Sequence, residues 1–241
     1  MRLIYFNLLN MEKFETEYKG KLGKKDKGIN IPCLAFKNKK NLIKISKKNK
    51  FKIDESLKLD DYRFKLLLKF AKKKEIDFNY SNIDSRKYLE TILPCFPQPM
   101  LFLGWAKYTN QYKKICDMVS VDINSKVNPD ITADITKKDF KKKVKEVHNK
   151  YKSIINNGVI GWGVNQPKQI RDSLKNCKDL LTNGGFMLCG WNVMAFEGHK
   201  EDSTITISMM KKYLKEGGFK QIKLIYNSND EWKQAYIICQ K

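Results

Sequence analysis

The feature that most constrains the fold is an alternation of short apolar runs with longer amphipathic stretches after Pro99. Runs such as Met100–Leu103 and Met118–Asp122 are short enough for buried strands, and the stretches between them carry apolar residues at helical spacing. Strands that alternate with helices form a mostly parallel sheet with right-handed crossovers. The pattern therefore predicts an α/β fold.

This alternation predicts seven strands and four helices in residues 98–241. The strands are expected at 100–103, at 118–122, in the segment 131–135 just before Asp134, and at 151–156, 186–191, 221–226 and 235–239. The helices are expected from residue 110 and at 137–149, 169–181 and 208–216. Thr109 is placed to cap the first of these helices. Gly184-Gly185 is expected to end the helix at 169–181, and Gly217-Gly218 the helix at 208–216.

The composition shifts near residue 95, which predicts a separate N-terminal part. Residues 1–80 carry dense lysine runs, and three prolines at 94, 97 and 99 are typical of a linker. Short strands are expected at 29–31 and 42–45, and helices at 60–74, with Asp60 or Asp61 as N-cap, and at 85–93. We expect a lysine-rich α+β extension over residues 1–97 that caps the sheet, and the main domain over 98–241.

The net charge of +22 indicates an anionic partner or a bias in composition. The excess is almost entirely lysine, since arginine occurs only at 2, 63, 86 and 171. Specific phosphate and base recognition favours the bidentate arginine fork. Both explanations stay open at this stage.

The spacing of the cysteines indicates whether a metal site or disulfides are expected, and the length of the apolar runs indicates where the protein is located. The six cysteines are scattered without CxxC spacing, which predicts buried thiols, no disulfide framework and no metal site. No apolar stretch approaches the roughly 20 residues that span a bilayer. The N-terminal apolar run lacks a small-residue cleavage site, so we expect a cytoplasmic protein.

Candidate binding residues follow from the strand ends, because open parallel sheets bind ligands at the carboxyl edge. Gly104 ends the first strand, where a sharp turn favours glycine. Asp122 ends the second, where a carboxylate accepts hydrogen bonds from the ribose of an adenine cofactor. Asp134 follows the third and is placed to accept from an adenine amino group. A capping role is the alternative for both aspartates.

In these segments the sequence resembles the class I methyltransferases that depend on S-adenosylmethionine (SAM). The resemblance covers about residues 98–241 and rests on five segments in order: 101–104, 119–124, 128–135, 153–159 and 177–186. It implies a Rossmann-like class I methyltransferase fold with a mostly parallel seven-stranded sheet flanked by helices, and SAM as the cofactor. The implied cofactor contacts are Gly104, Tyr108, Thr109, Asp122, Ile123, Asp134, Ile135, Asn157 and Gly158.

The first loop departs from the family pattern, which has three glycines. Positions 105–108 hold Trp, Ala, Lys and Tyr, so the backbone approach that a dinucleotide pyrophosphate needs is absent. This disfavours NAD or FAD, whereas SAM carries no phosphate. The Gly-x-x-x-Tyr-Thr turn at 104–109 resembles a bacterial subgroup linked to surface-polysaccharide pathways.

Candidate catalytic residues come from the loop after the fifth strand and from the fourth motif. His199 has an imidazole whose ordinary pKa suits a general base, and Glu197 is a comparable candidate. Asn157 lies in the segment that the resemblance places beside the methyl group. His148 falls on a lysine-rich stretch with an expected exposed position.

The sequence thus predicts a SAM-dependent methyltransferase that acts on a small-molecule or carbohydrate-linked acceptor, of anionic character. Two alternatives remain: an RNA methyltransferase, and a non-catalytic protein of this fold that binds an anionic partner. The Asn/Asp-Pro-Pro-aromatic motif of amino-group DNA methylation is absent from 156–159, and the one Pro-Cys pair is Pro94-Cys95, outside the fourth motif.

Overall fold

One sheet of eight strands organises the molecule. The computed structural model describes residues 37–73, 76–77, 93–104, 112–114, 116–161, 163–192, 205–226 and 234–241. The strands are β1 (Ile76–Asp77), β2 (Met100–Leu103), β3 (Met118–Asp122), β4 (Ile131–Thr132), β5 (Tyr151–Asn157), β6 (Leu181–Asn192), β7 (Lys220–Tyr226) and β8 (Gln234–Gln240). The helices are α1 (Lys39–Lys48), α2 (Leu59–Lys73), α3 (Phe140–Val147), α4 (Pro167–Leu180) and α5 (Ile207–Glu216).

The strand order is β1-β7-β8-β6-β5-β2-β3-β4. Strand β8 runs antiparallel to both of its neighbours, and the remaining pairs are parallel. The prediction of a mostly parallel α/β sheet is therefore confirmed. Its seven expected strands are all present, and the N-terminal part adds β1 as an eighth at the edge beside β7.

Apolar residues cover the sheet on both faces, as expected for buried parallel strands. Alternate residues of β2 point to opposite sides: Leu101 and Leu103 join the cluster under α3, α4 and α5, whereas Met100 and Phe102 join the cluster under α1 and α2. The sheet is thus the middle of three layers.

Helix α1 replaces the strand that the sequence predicted at 42–45. Asn38 caps it, because the Asn38 side chain accepts a hydrogen bond from the Asn41 backbone N–H at 3.0 Å. Leu42 and Ser46, four residues apart, are its buried positions. Four residues of alternating pattern are too few to distinguish a strand from the face of a helix, and the prediction was wrong for that reason.

Helix α2 agrees closely with the predicted helix at 60–74. It begins at Leu59, so Asp60 and Asp61 lie in its first turn. The prediction that one of them is the N-cap was therefore wrong. Acidic side chains there interact favourably with the helix dipole. Asp60 also binds the buried Arg63 guanidinium at 2.5 Å.

Helix α4 ends before the glycines that were predicted to stop it. Leu181, in extended conformation, follows the last helical residue and begins β6 directly. Two lysines satisfy carbonyls at this end: Lys150 Nζ donates to Asp179 O, and Lys241 Nζ donates to Leu181 O at 2.8 Å. Gly184, at φ +73°, lies within β6 where its pairing with β5 shifts register.

The remaining predicted elements are confirmed in part or lie outside the described residues. The lysine-rich helix is shorter than expected, at Phe140–Val147. Gly217 ends α5 as expected, and Gly218 follows it at φ +76°. The strand at 29–31, the Thr109 cap and all but Leu93 of the helix predicted at 85–93 lie outside the described residues.

The segment before β2 packs into the core. Leu93–Cys95 forms a 3-10 turn, and Leu93, Cys95 and Phe96 are buried with residues of α1, α2 and the sheet. The cysteines at 95, 116, 177, 189 and 239 are buried thiols without a disulfide, as expected for those five. Within the described ranges, none of the helices has the length and apolar character to cross a membrane.

Candidate functional site

A cavity of about 370 Å³ opens at the carboxyl ends of strands β2 to β5. The chain passes from β2 to β3 and β4 on one side and then returns to β5 on the other, so this edge is the topological switch point of the sheet. Its lining residues are Leu103, Gly104, Val121, Asp122, Ile123, Ala133, Asp134, Ile135, Thr136, Phe140, Gly158, Val159, Gly163, Val164 and Gln169. The volume falls within the usual range for small-molecule sites.

Gly104 forms the turn at the end of β2, as predicted. Its φ is +74°, and its backbone N–H donates to Val121 O at 2.7 Å. A Cβ at this position would lie 2.3 Å from Val159 Cγ2. The glycine therefore makes room for Val159, which lies on the same wall of the cavity.

Asp122 and Ile123 form the part of the wall that follows β3. Asp122 is half-buried, and its Oδ1 accepts a hydrogen bond from the Asn124 backbone N–H at 2.9 Å. This turn contact is the alternative role considered for Asp122, and the residue also lines the cavity. The side chain of Ile123 is 69% exposed, which is unusual for isoleucine and leaves an apolar surface at the cavity rim.

Asp134 and Ile135 form the part of the wall that follows β4. Asp134 Oδ1 accepts from the Thr136 backbone N–H at 2.9 Å and from Thr136 Oγ1 at 2.7 Å. Asp134 thus makes local capping contacts and also lines the cavity. Ile135 is buried, and its carbonyl accepts from Asn176 Nδ2 of α4 at 2.9 Å.

The loop 158–164 follows β5, and its described residues, 158–161 and 163–164, supply four lining residues. Hydrogen bonds join these residues, including Val164 N–H to Val159 O at 2.7 Å and Gly161 N–H to Val164 O at 2.8 Å. Gly158 has φ +90°, and a Cβ there would meet no atom of the described residues within 4 Å. Among those residues, the space beside Gly158 is therefore open.

Asn157 is fully buried and is not among the residues that line the cavity. Tyr236 lies on β8, and its Oη reaches across β6 to donate a hydrogen bond to Asn157 Oδ1 at 3.4 Å. A Cβ on the intervening Gly190 would lie 2.5 Å from the Tyr236 ring, so the glycine makes this contact possible.

The charge of the cavity differs in sign from that of the molecule. Asp122 and Asp134 are the only charged residues that line it, among described residues, although the whole chain carries +22. A pyrophosphate would meet two carboxylates and no lysine or arginine on this wall. The site therefore fits a neutral or cationic ligand with apolar surface better than a phosphate-bearing one.

Several predicted site residues lie outside the described residues: Tyr108, Thr109, Glu197 and His199. Their roles stay predictions. His148 is exposed, as expected, and its ring lies 5.5 Å from the Tyr151 ring at the end of α3.

Sequence reasoning missed the helical residues of the cavity. Phe140 begins α3 and Gln169 lies in the first turn of α4, so both reach the sheet edge from the start of a helix. A phenylalanine after a polar turn was the only sequence signal for the first, and Gln169 carried none.

Comparisons with known proteins agree with this architecture. No protein-family model and no curated protein matches the sequence. The structure is similar to a SAM-dependent methyltransferase from Archaeoglobus fulgidus, at 12% identity, over 65% of this chain and 93% of that one, with a TM-score of 0.51. It is also similar to an S-adenosylmethionine-dependent methyltransferase from Clostridium acetobutylicum ATCC 824, at 10% identity, over 66% and 93% of the chains, with a TM-score of 0.50. The chain thus has the Rossmann-like α/β fold of these methyltransferases, as the sequence predicted.

Proposed function

We propose that the protein is a SAM-dependent methyltransferase and that SAM binds in the cavity at the switch point. The observation that carries the proposal is the convergence of Gly104, Asp122 and Asp134 on one cavity wall, each at the end of a neighbouring strand. The fold shared with SAM-dependent methyltransferases supports it.

The lining residues suit the parts of this cofactor. Asp122 is proposed to accept hydrogen bonds from the ribose hydroxyls, and Asp134 from the adenine amino group through its second oxygen. The exposed Ile123 and the buried Ile135 supply apolar surface for a flat ring. Gly104 and the open space beside Gly158 leave room for the methionine part. Asn157, Tyr108 and Thr109 stay in the proposal as further contacts on the sequence argument.

The chain's own contribution to the reaction is binding, orientation and exclusion of water. Bound SAM supplies an activated methyl group, so positioning of the acceptor provides much of the acceleration. Where the acceptor atom carries a proton, His199 or Glu197 is proposed as the general base.

The proposed acceptor is a small or carbohydrate-linked anionic molecule, which the net charge of +22 supports. Methylation of RNA and binding of an anionic partner without catalysis are the alternatives. We also propose that residues 1–97 form a module over a cofactor domain of residues 98–241. The Gly-x-x-x-Tyr-Thr turn at 104–109 supports a place in the bacterial subgroup linked to surface-polysaccharide pathways. The proposed location is the cytoplasm. The five buried thiols support that location.

Calorimetric titration of the purified chain with SAM and S-adenosylhomocysteine tests the cofactor proposal. Asp122→Asn keeps an oxygen for the Asn124 N–H but loses the charge and one acceptor for the ribose. We expect affinity to fall by about 10-fold to 100-fold, because charge-assisted hydrogen bonds are lost.

Asp117→Asn is the matched control. Asp117 is an exposed carboxylate just before β3, at the end opposite Asp122, and its replacement should change affinity by less than about twofold. No binding by the wild-type chain, or equal losses in the two variants, would contradict the proposed site. After binding is established, transfer of a labelled methyl group to nucleotide-sugars or RNA distinguishes the acceptor classes.

A further inference from the structure

The buried side-chain amide of Asn156 joins the loop 158–164 to the sheet. Asn156 is the penultimate residue of β5 and is fully buried. Its Nδ2 donates to Ile160 O at 3.0 Å and to Gly190 O at 3.1 Å, and its Oδ1 accepts from the Ile160 N–H at 2.8 Å. The nitrogen and the oxygen of the amide therefore both form hydrogen bonds, and two of the three bonds are with Ile160 of the loop.

The same network reaches the residues that line the cavity. Gly190 O, which accepts from Asn156, also accepts from the Gly158 N–H at 2.8 Å. Ile160 is fully buried and pairs with Val164, and Val159 lies between Gly158 and Ile160, against Gly104. Displacement of Ile160 would therefore move Gly158, Val159 and Val164 together.

We propose that Asn156 is a positioning residue that holds the loop 158–164 in the place where it forms the cavity wall. Asn156 does not line the cavity and acts through Ile160 and Gly190. The effect on cofactor affinity rests on the proposed function, whereas the effect on the loop does not.

The variant Asn156→Asp tests this role because it changes the side chain without changing its shape. A carboxylate oxygen in place of Nδ2 would face the carbonyls of Ile160 and Gly190, so two hydrogen bonds would become repulsions. Burial and these carbonyls raise the pKa of the new carboxyl, and its protonated form can donate one of the two hydrogen bonds again. The titratable group that contacts Asn156 in the described structure is the Cys189 thiol, at 3.5 Å, and burial raises its pKa to about 12. That thiol stays neutral over the range of the test.

The first measurement is amide hydrogen exchange of a peptide that covers the loop, expressed as the ratio of variant to wild type. For Asn156→Asp we expect loop exchange at about pH 8 to be at least about tenfold faster than in wild type, with a smaller difference at about pH 6, where more of the carboxyl is protonated. The affinity of Asn156→Asp for S-adenosylhomocysteine should be lower than that of wild type at about pH 8, and the difference should be smaller at about pH 6.

Ser153→Ala is the matched control. Ser153 is also fully buried on β5, at the opposite end, where its Oγ donates to Pro97 O at 2.6 Å. Its replacement should lower stability but leave loop exchange unchanged. Asn156→Ser provides a second variant without a new charge, in which loop exchange should be faster to the same extent at both pH values.

The outcomes separate this inference from the proposed function. The positioning role is overturned if the loop exchanges no faster in either Asn156 variant than in Ser153→Ala. It is also overturned if a variant whose loop has lost protection still binds S-adenosylhomocysteine as tightly as the wild type does. Faster loop exchange in a chain that never binds S-adenosylhomocysteine supports the positioning of the loop and contradicts the proposed cofactor.

Discussion

At the residue scale, Gly104 and Val159 show how two strand ends share one wall. The left-handed backbone of Gly104 would strain any side chain, and the place of its missing Cβ is taken by Val159 Cγ2. The end of β2 and the loop after β5 are therefore fitted to each other.

Gly104→Ala should lower both stability and cofactor affinity. The new methyl would clash with Val159 at 2.3 Å, in addition to about 1–2 kcal/mol for an alanine at positive φ. Thermal denaturation and the titration described above measure the two effects.

Val159→Ala supplies the control for that prediction. In the double variant the clash is relieved, so the loss of stability should be smaller than the sum of the two single losses. Strict additivity would show that only the backbone strain at residue 104 matters. Gly158→Ala, whose Cβ meets no other described residue, should cost stability through its backbone at φ +90°.

The residues of the site that the sequence predicts are those at strand ends. Gly104, Asp122 and Asp134 could be located because a buried apolar run ends just before each one and parallel strands end at one edge. Phe140 could not, because only the packing of α3 brings its first residue over that edge. Nor could the burial of Asn157 be foreseen, because its contact with Tyr236 comes from β8, 79 residues further along the chain.

At the element scale, the success of prediction depends on how many residues carry the pattern. The four-residue run of β2 is bounded by proline and glycine and was located well. Residues 42–45 carry no such bounds, and the Asn38 cap, which lies four residues upstream, was not recognised. The end of α4 depends on lysines from β8 and from the start of β5, which no local pattern contains.

Asp130 joins three segments around the start of β4. Its Oδ2 accepts from the Ser120 N–H at 2.7 Å and from Ser120 Oγ at 2.9 Å, and Lys113 Nζ lies 2.6 Å away. Burial alone would raise the pKa of Asp130, but the bonds from Lys113 and Ser120 outweigh it and hold the pKa below its ordinary value.

Asp130→Asn should therefore remove a part of the stability that depends on pH. A carboxyl with a lowered folded pKa stabilises the fold above its unfolded pKa, and this stabilisation is lost as pH falls through the folded value. The variant should be less stable than wild type at neutral pH, and the difference should shrink below about pH 4.

Urea denaturation at several pH values measures that difference. Asp172→Asn, at an exposed carboxylate of α4, is the control and should change stability little at any pH. A constant difference between Asp130→Asn and wild type down to acid pH would contradict the role given to this carboxylate.

At the scale of the whole molecule, α1 and α2 share a core with the sheet. The Phe64 ring of α2 lies 4.4 Å from Phe186 of β6 and 5.2 Å from Phe96, centroid to centroid. Leu66 and Leu67 are buried in the same cluster as Phe102 and Ile155 of the central strands. This packing predicts that the N-terminal helices and the sheet unfold together.

Phe64→Ala should lower the stability of the whole chain by about 3–5 kcal/mol, because a large side chain leaves a shared core. Thermal unfolding followed by far-UV circular dichroism and by tryptophan fluorescence should show one transition, shifted equally by both probes. Leu59→Ala, on the same helix but at a side chain that is 37% exposed, is the control. Two transitions, only one of which moves, would indicate instead that residues 1–97 fold as an independent module.

The two carboxylates of the cavity, set in a body of charge +22, give the protein different electrostatic preferences at different ranges. Outside the cavity the net positive charge acts over about a Debye length, roughly 10 Å at 0.1 M salt, so phosphorylated compounds accumulate close to the surface and cations are depleted there. Inside the cavity the preference is reversed. The proposed cationic methyl donor and the proposed anionic acceptor would therefore be drawn to different places, and phosphates would be disfavoured next to the two carboxylates of the proposed donor site.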